Sequence, residues 1–235
     1  MRELKIAEVQ ARKALIFDAS SIITLNMIGM LELLKELKIG FDGKFLITRD
    51  VYNECVNVPI EIKKYELRAL MIKKFVEERI IEVINDKELD KRTDQILNEI
   101  NSIFHVNNEK IKIIHRGEAS CIALYELLNL KDKALVIDER TARMILENPE
   151  SLAKLIEGKV HRKIYINQKI ASQFKNKNFK IIRSSEILII GFEKRKTGFE
   201  DNKEGLDALI YGAKAYGCSI SEEEIAQILQ KKDKL

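Results

Sequence analysis

Short, unbroken apolar runs alternate along this chain with longer stretches whose apolar residues recur every three or four positions. Ala14-Leu15-Ile16-Phe17 is the first such run, preceded by basic residues and followed at once by Asp18-Ala19-Ser20-Ser21. Over residues 22–37, Leu25, Ile28, Leu31, Leu34 and Leu37 keep near the helical period, which predicts one helix. Residues 45–48 form a second run, ending in Arg49-Asp50 and a predicted short helix through Glu54. Residues 80–84, 134–137 and 179–182 supply a third, a fourth and a fifth. Runs that are apolar without alternation suit strands buried on both faces, and helices between them suit parallel pairing. With right-handed crossovers, the expected fold is a three-layer α/β/α sandwich around a mainly parallel sheet of about five strands.

Two stretches exceed what this alternation needs. Residues 59–115 hold two charged amphipathic segments, 62–78 and 87–104, read as helices around the third strand. Residues 149–178 add a helix and the strand-like Lys163-Ile164-Tyr165-Ile166, and Lys175-Asn176-Lys177-Asn178 reads as the turn of a hairpin leading into the fifth strand. The expected organisation is a core over residues 1–148, including the helical insertion 59–115. A basic extension over 149–200 contributes a hairpin or edge strand to the same domain, and C-terminal helices occupy 201–235. The last helix is capped by Ser221, with Glu222 to Glu224 in its first turn.

Composition narrows the class. A chain of 235 residues with 46% apolar content can bury one enlarged core and leave a cleft, and it is not disordered over most of its length. The longest largely apolar stretch, 14–34, carries Asp18 and Glu32, so a membrane span is not expected. The first residues are charged throughout and lack the apolar core of a secretory signal. Cys55, Cys121 and Cys218 are too scattered for a disulfide framework or a CxxC zinc site, and a reduced, cytoplasmic protein is the expectation. The net charge of +4 hides an asymmetry: residues 151–200 hold 12 Lys and Arg against 4 Glu. A basic segment on a slightly acidic body suits a polyanionic partner, and a solvated lysine-rich surface is the plainer alternative.

The chemistry is carried by acids. In an open parallel sheet, functional groups gather outside the carboxyl ends of the strands. The first run ends in Asp18 and the fourth in Asp138-Glu139, so these acids share a crevice if their strands are neighbours. Glu54 follows the second run, and Glu118 follows Gly117 at the start of the apolar helix 119–130. Each alone has a plainer reading: Asp18 as an N-cap in competition with Ser20 or Ser21, Glu118 as a first-turn acid on a helix dipole. Four such acids on one sheet, with no companion histidine, are restrictive. Like charges so close must hold protons or bind a cation. Oxygen ligands favour Mg²⁺ or Mn²⁺ over zinc, and such an ion activates a water for attack on a phosphodiester. The basic segment would hold the nucleic-acid backbone.

These residues resemble the PIN-domain family of metal-dependent ribonucleases. The matching pieces are Leu15-Ile16-Phe17-Asp18-Ala19-Ser20-Ser21-Ile22-Ile23, Ile47-Thr48-Arg49-Asp50-Val51-Tyr52-Asn53-Glu54, Arg116-Gly117-Glu118-Ala119-Ser120 and Ala134-Leu135-Val136-Ile137-Asp138-Glu139-Arg140-Thr141-Ala142-Arg143. They span 12–58, 79–85 and 112–148, with a weaker match over 179–196. The resemblance implies Asp18, Glu54 and Glu118 as the first three metal ligands, with Ser20 as the small hydroxyl that orients the acids. One of Asp138 and Glu139 is then the fourth ligand, the other standing behind it. Ile137 replaces the family's usual threonine and removes a hydroxyl. The resemblance also implies a homodimer, and the extra helices would bind RNA, form that dimer or cover the site.

The resulting expectation is a Mg²⁺- or Mn²⁺-dependent endoribonuclease hydrolysing single-stranded RNA. The alternative is a catalytically weak or inactive RNA-binding or assembly module on the same fold. A small-molecule phosphohydrolase is disfavoured because Asp18-Ala19-Ser20 lacks a second aspartate, and no GxGxxG or P-loop motif is present. Arg140 and Arg143 either clamp phosphates or pair with the acids. His105, His115 and His161 share no metal-ligand spacing, though His115-Arg116 is close enough in sequence to Glu118 for a phosphate contact. Cys121 and Asp207 read as a core thiol and a satisfied helix acid. Tyr52, Tyr165 and Phe174 are core residues by default and base-stacking candidates otherwise.

Overall fold

A computed structural model describes residues 2–107, 109–202 and 204–232, with side chains through Gln230. The chain runs β1 (Glu3–Leu4), β2 (Lys13–Phe17), α1 (Ala19–Met27), α2 (Glu32–Gly40), β3 (Lys44–Thr48), α3 (Arg49–Tyr52), α4 (Glu66–Glu77) and β4 (Glu82–Ile84). It continues through α5 (Lys87–Ile100), β5 (Phe104–Val106), β6 (Glu109–Lys110), α6 (Arg116–Leu127), β7 (Asp132–Val136), α7 (Arg140–Glu147) and α8 (Pro149–Val160). It closes with β8 (Tyr165–Ile166), α9 (Gln168–Lys175), β9 (Ile181–Ile182), α10 (Ser184–Glu193), α11 (Gly205–Ala215) and α12 (Glu222–Lys232).

Six strands form the central sheet in the order β1-β4-β3-β2-β7-β9, all of them parallel. The core of β2, β3 and β7 is apolar on both faces because helices cover both. On one face α6 lies across β2, β3 and β7, with α5 against it and α3 beside it. On the other, α10 packs on α1, α2 and α11. The fold is the expected α/β/α sandwich. From β2 the chain first builds outward through β3 and β4, and later returns on the opposite side through β7 and β9. The carboxyl ends of β2 and β7, where this order reverses, therefore open a crevice. Phe17 pairs with Val136 at that end, which sets Asp18 beside the start of the β7–α7 turn.

Four expectations are corrected. The helix over 22–37 is two helices, because Gly29 takes φ +75° and the chain turns between α1 and α2 while the apolar period continues. Phe104 belongs to strand β5, not to the helix before it. Lys175-Asn176-Lys177-Asn178 is not a hairpin turn: it closes α9, and β9 joins the edge of the central sheet in parallel with β7. The strand-like segment around Tyr165 pairs elsewhere, in a small antiparallel sheet of order β6-β5-β8.

Candidate metal centre

Three carboxylates come to the crevice from three elements. Asp18 ends β2 and caps α1, its Oδ2 accepting the Ser20 N–H at 3.1 Å and the Ser20 hydroxyl at 2.6 Å. It is 4% exposed. Burial, opposed by the Ser20 bonds and reinforced by the Glu118 charge, pushes its pKa from 3.8 to about 6. Glu54 follows α3 in a widened helical turn, Asn53–Asn57, a distortion common at functional sites. Part of the residue meets solvent, while its carboxyl lies against Gly117 and accepts that residue's backbone N–H. Desolvation of the carboxyl, then the charges of Asp18, Glu118 and Asp50, raise its pKa to about 7.

Gly117 is a cradle. A Cβ placed there would stand 2.6 Å from Glu54 Oε1 and 2.8 Å from Oε2, so any other residue would push the carboxylate from this position. Beneath it, the Ser120 hydroxyl donates to the Gly117 carbonyl at 2.7 Å and lies 2.6 Å from the Thr48 hydroxyl, tying the first turn of α6 to the end of β3. Arg116 draws the same turn toward α3 and α5 through ion pairs with Asp50, Asp90 and Asp94.

Glu118 stands within electrostatic range of Asp18 and Glu54, and its Oε2 accepts the His115 N–H at 2.9 Å in a capping box. Asp138 is fully buried, and both its oxygens are engaged by Ser184: Oδ1 accepts the backbone N–H and Oδ2 the hydroxyl, each at 2.7 Å. Ser20 links this residue to the crevice, because its Oγ accepts the Asp138 N–H at 3.1 Å while donating to Asp18. Glu139 caps α7, its Oε2 accepting the Ala142 N–H at 2.6 Å. Neither arginine that follows pairs with these acids among the described residues. Arg140 is exposed, and Arg143 donates to the Ser219 carbonyl at 3.2 Å.

The structure therefore places Asp18, Glu54 and Glu118 within electrostatic range of one another and joins Asp138 to Asp18 through Ser20. Sequence reading did not single out Ser184 or assign roles to Gly117, Thr48 and Ser120. The last three sat inside quoted motifs, whereas the partnership of Asp138 with Ser184 spans 46 residues. Cys121 is a buried core thiol whose pKa burial pushes well up, and its Sγ points to the Phe17 carbonyl at 3.6 Å.

The donor set is of the kind a hard dication takes, oxygen only and anionic, and Gly117 gives the Glu54 carboxylate its seat. Burial first, and then the neighbouring acids, raise the pKa values of Asp18 and Glu54, and neither carboxylate is paired with a lysine or arginine among the described residues. Among the described residues, no three Asp, Glu, His or Cys side chains stand close enough to enclose an ion as they are.

A family model described as PIN domain matches residues 14–150, more than half of the chain. The chain belongs to the PIN-domain family. The match begins at β2 and ends in the first turn of α8, so it encloses all the acids described above. PIN domains are generally nucleases and typically use divalent metals. No curated protein and no solved structure gave a match. Among the described residues no helix of this PIN domain or its extension is long and apolar enough to cross a membrane.

Proposed function

We propose that this PIN protein is a Mg²⁺- or Mn²⁺-dependent endoribonuclease acting on single-stranded RNA. The observation that carries the reading is the convergence of Asp18, Glu54 and Glu118 from β2, the turn after α3 and α6, with no lysine or arginine paired to any of them among the described residues. Asp18, Glu54 and Glu118 are the proposed metal-holding groups. A bound dication supplies a water of lowered pKa and charge for the leaving oxygen. The chain's own part is to hold the carboxylates. Ser20 orients Asp18, Gly117 seats Glu54, and Thr48 with Ser120 fixes the turn that carries both Gly117 and Glu118. Asp138 and Glu139, one of them expected as the fourth ligand, have their carboxylates on Ser184 and Ala142 in this arrangement. We therefore assign Asp138 to positioning, through Ser20 and through the start of α10.

One observation favours a second reading, an RNA-binding module of little turnover: Glu118 is bonded to its own helix cap. A circular single-stranded RNA separates the two. Wild-type protein with Mn²⁺ is expected to linearise it, and Glu118→Gln or EDTA to leave it closed. Closed circles in every lane, with binding intact, would establish the second reading.

A further inference from the structure

We infer that the small sheet β6-β5-β8, with the end of α8, is a base-stacking platform for single-stranded RNA, centred on Tyr165. The inference rests on the reading of this protein as an RNA-directed PIN domain and names where the strand lies. In antiparallel pairs, residues directly opposite one another share a face. His105 pairs with both Lys110 and Tyr165, so Lys110, His105 and Tyr165 stand in one row across three strands. The opposite face carries Phe104 paired with Ile166; Phe104 is 0% exposed and lies in the core. The row therefore faces outward, and Tyr165 is 57% exposed. It spans about 10 Å at ordinary strand spacing, room for a base on the ring and phosphates at its sides.

The charge around this row is free to bind. Half of the basic residues of 151–200 are already paired: Lys175, Lys177, Lys180, Arg183, Arg195 and Lys196 all meet acids. Among the described residues, Lys110, Lys112, Lys159, Arg162 and Lys163 form no ion pair. Lys163 sits with its Nζ 5.4 Å from the centre of the Tyr165 ring. The Glu157 carboxylate, the acid nearest in sequence, is bonded to the Ile164 N–H at 2.8 Å. Glu157, His161, Arg162 and Lys163 line an open depression of about 440 Å³. An exposed aromatic with unpaired cations beside it is the arrangement that holds an unstacked base and its backbone. Lys110 precedes Glu118 by eight positions, so the two lie no more than about 28 Å apart.

The test is fluorescence anisotropy with a labelled unstructured RNA in EDTA, across a range of salt. Tyr165→Ala is expected to weaken binding roughly fivefold to a hundredfold, and Tyr165→Phe to keep affinity within about twofold. Lys110→Ala and Lys163→Ala are each expected to flatten the dependence of log K on log salt by about 0.7, which Tyr165→Ala leaves unchanged. Wild-type affinity in Tyr165→Ala would overturn the platform. So would no binding by the wild type, or equal binding of duplex RNA or heparin. Cleavage of the same RNA with Mn²⁺ is scored separately. Intact RNA with a Tyr165-dependent affinity rejects the nuclease and keeps the platform, and Mn²⁺-dependent cleavage with a Tyr165-independent affinity does the reverse.

Discussion

Replacing Asp18 with asparagine should stabilise the metal-free protein while abolishing its response to metal. Asp18 is 4% exposed and its pKa rises from 3.8 to about 6, chiefly because burial disfavours its charge. An ionised Asp18 therefore costs the native state about 3 kcal/mol at neutral pH. Asparagine caps helices as well as aspartate does and carries no charge. Allowing for the imperfect fit of its amide among carboxylates, about 2 kcal/mol of net stabilisation remains, or roughly 4–8 °C in a domain of this size. The pH dependence follows from which state holds the proton. The unfolded chain releases it near 3.8 and the native chain near 6, so wild-type stability falls across that interval and is level above it. Below about pH 4 only the roughly 1 kcal/mol cost of the amide's imperfect fit remains, so the variant should melt slightly below wild type there and above it by pH 7. Thermal unfolding in EDTA measures this, and saturating Mn²⁺ should then raise the wild-type midpoint alone. An Asp18→Asn protein less stable than wild type at pH 7, or a gap that persists unchanged at pH 4, would refute the reasoning.

Other consequences are local. Gly117→Ala puts a Cβ 2.6 Å from Glu54 Oε1, and displacing that carboxylate should cost about 1–3 kcal/mol, seen as a tenfold to hundredfold lower kcat/KM for RNA. Ser184→Ala leaves Asp138 Oδ2 without its 2.7 Å hydroxyl partner in a fully buried place, and a urea titration should show a loss of about 1–3 kcal/mol. Arg183 joins Glu186, Glu224 and the Ser219 carbonyl; Arg183→Ala should speed hydrogen exchange over 219–230 and leave the exchange of β2 and β7 unaltered.

The central strands were legible because burial on both faces writes itself as unbroken apolar runs. What was not legible has identifiable causes. Ile96, Ile100 and Phe104 continue a four-residue period, so the helical pattern runs straight into β5 and hides the strand. The break at Gly29 is concealed in the same way, since Ile28 and Leu31 keep the helical spacing across it. β1 has two residues and no pattern of its own. At the centre, Asp18, Glu54 and Glu118 could be read from their places at strand ends and helix starts. The choice between Asp138 and Glu139 could not, because it depends on partners: Ser184 for one and the first turn of α7 for the other. The basic segment was visible as composition, but which cations stay unpaired is a matter of three-dimensional neighbours.

The most direct measurement is single-turnover cleavage of a labelled single-stranded RNA by wild type and Asp18→Asn, each with Mn²⁺ and with EDTA. The expected result is cleavage by the wild type with Mn²⁺ and intact RNA in the other three reactions. Cleavage that survives either EDTA or the loss of the Asp18 carboxylate would contradict the assignment of these acids as the centre of the chemistry.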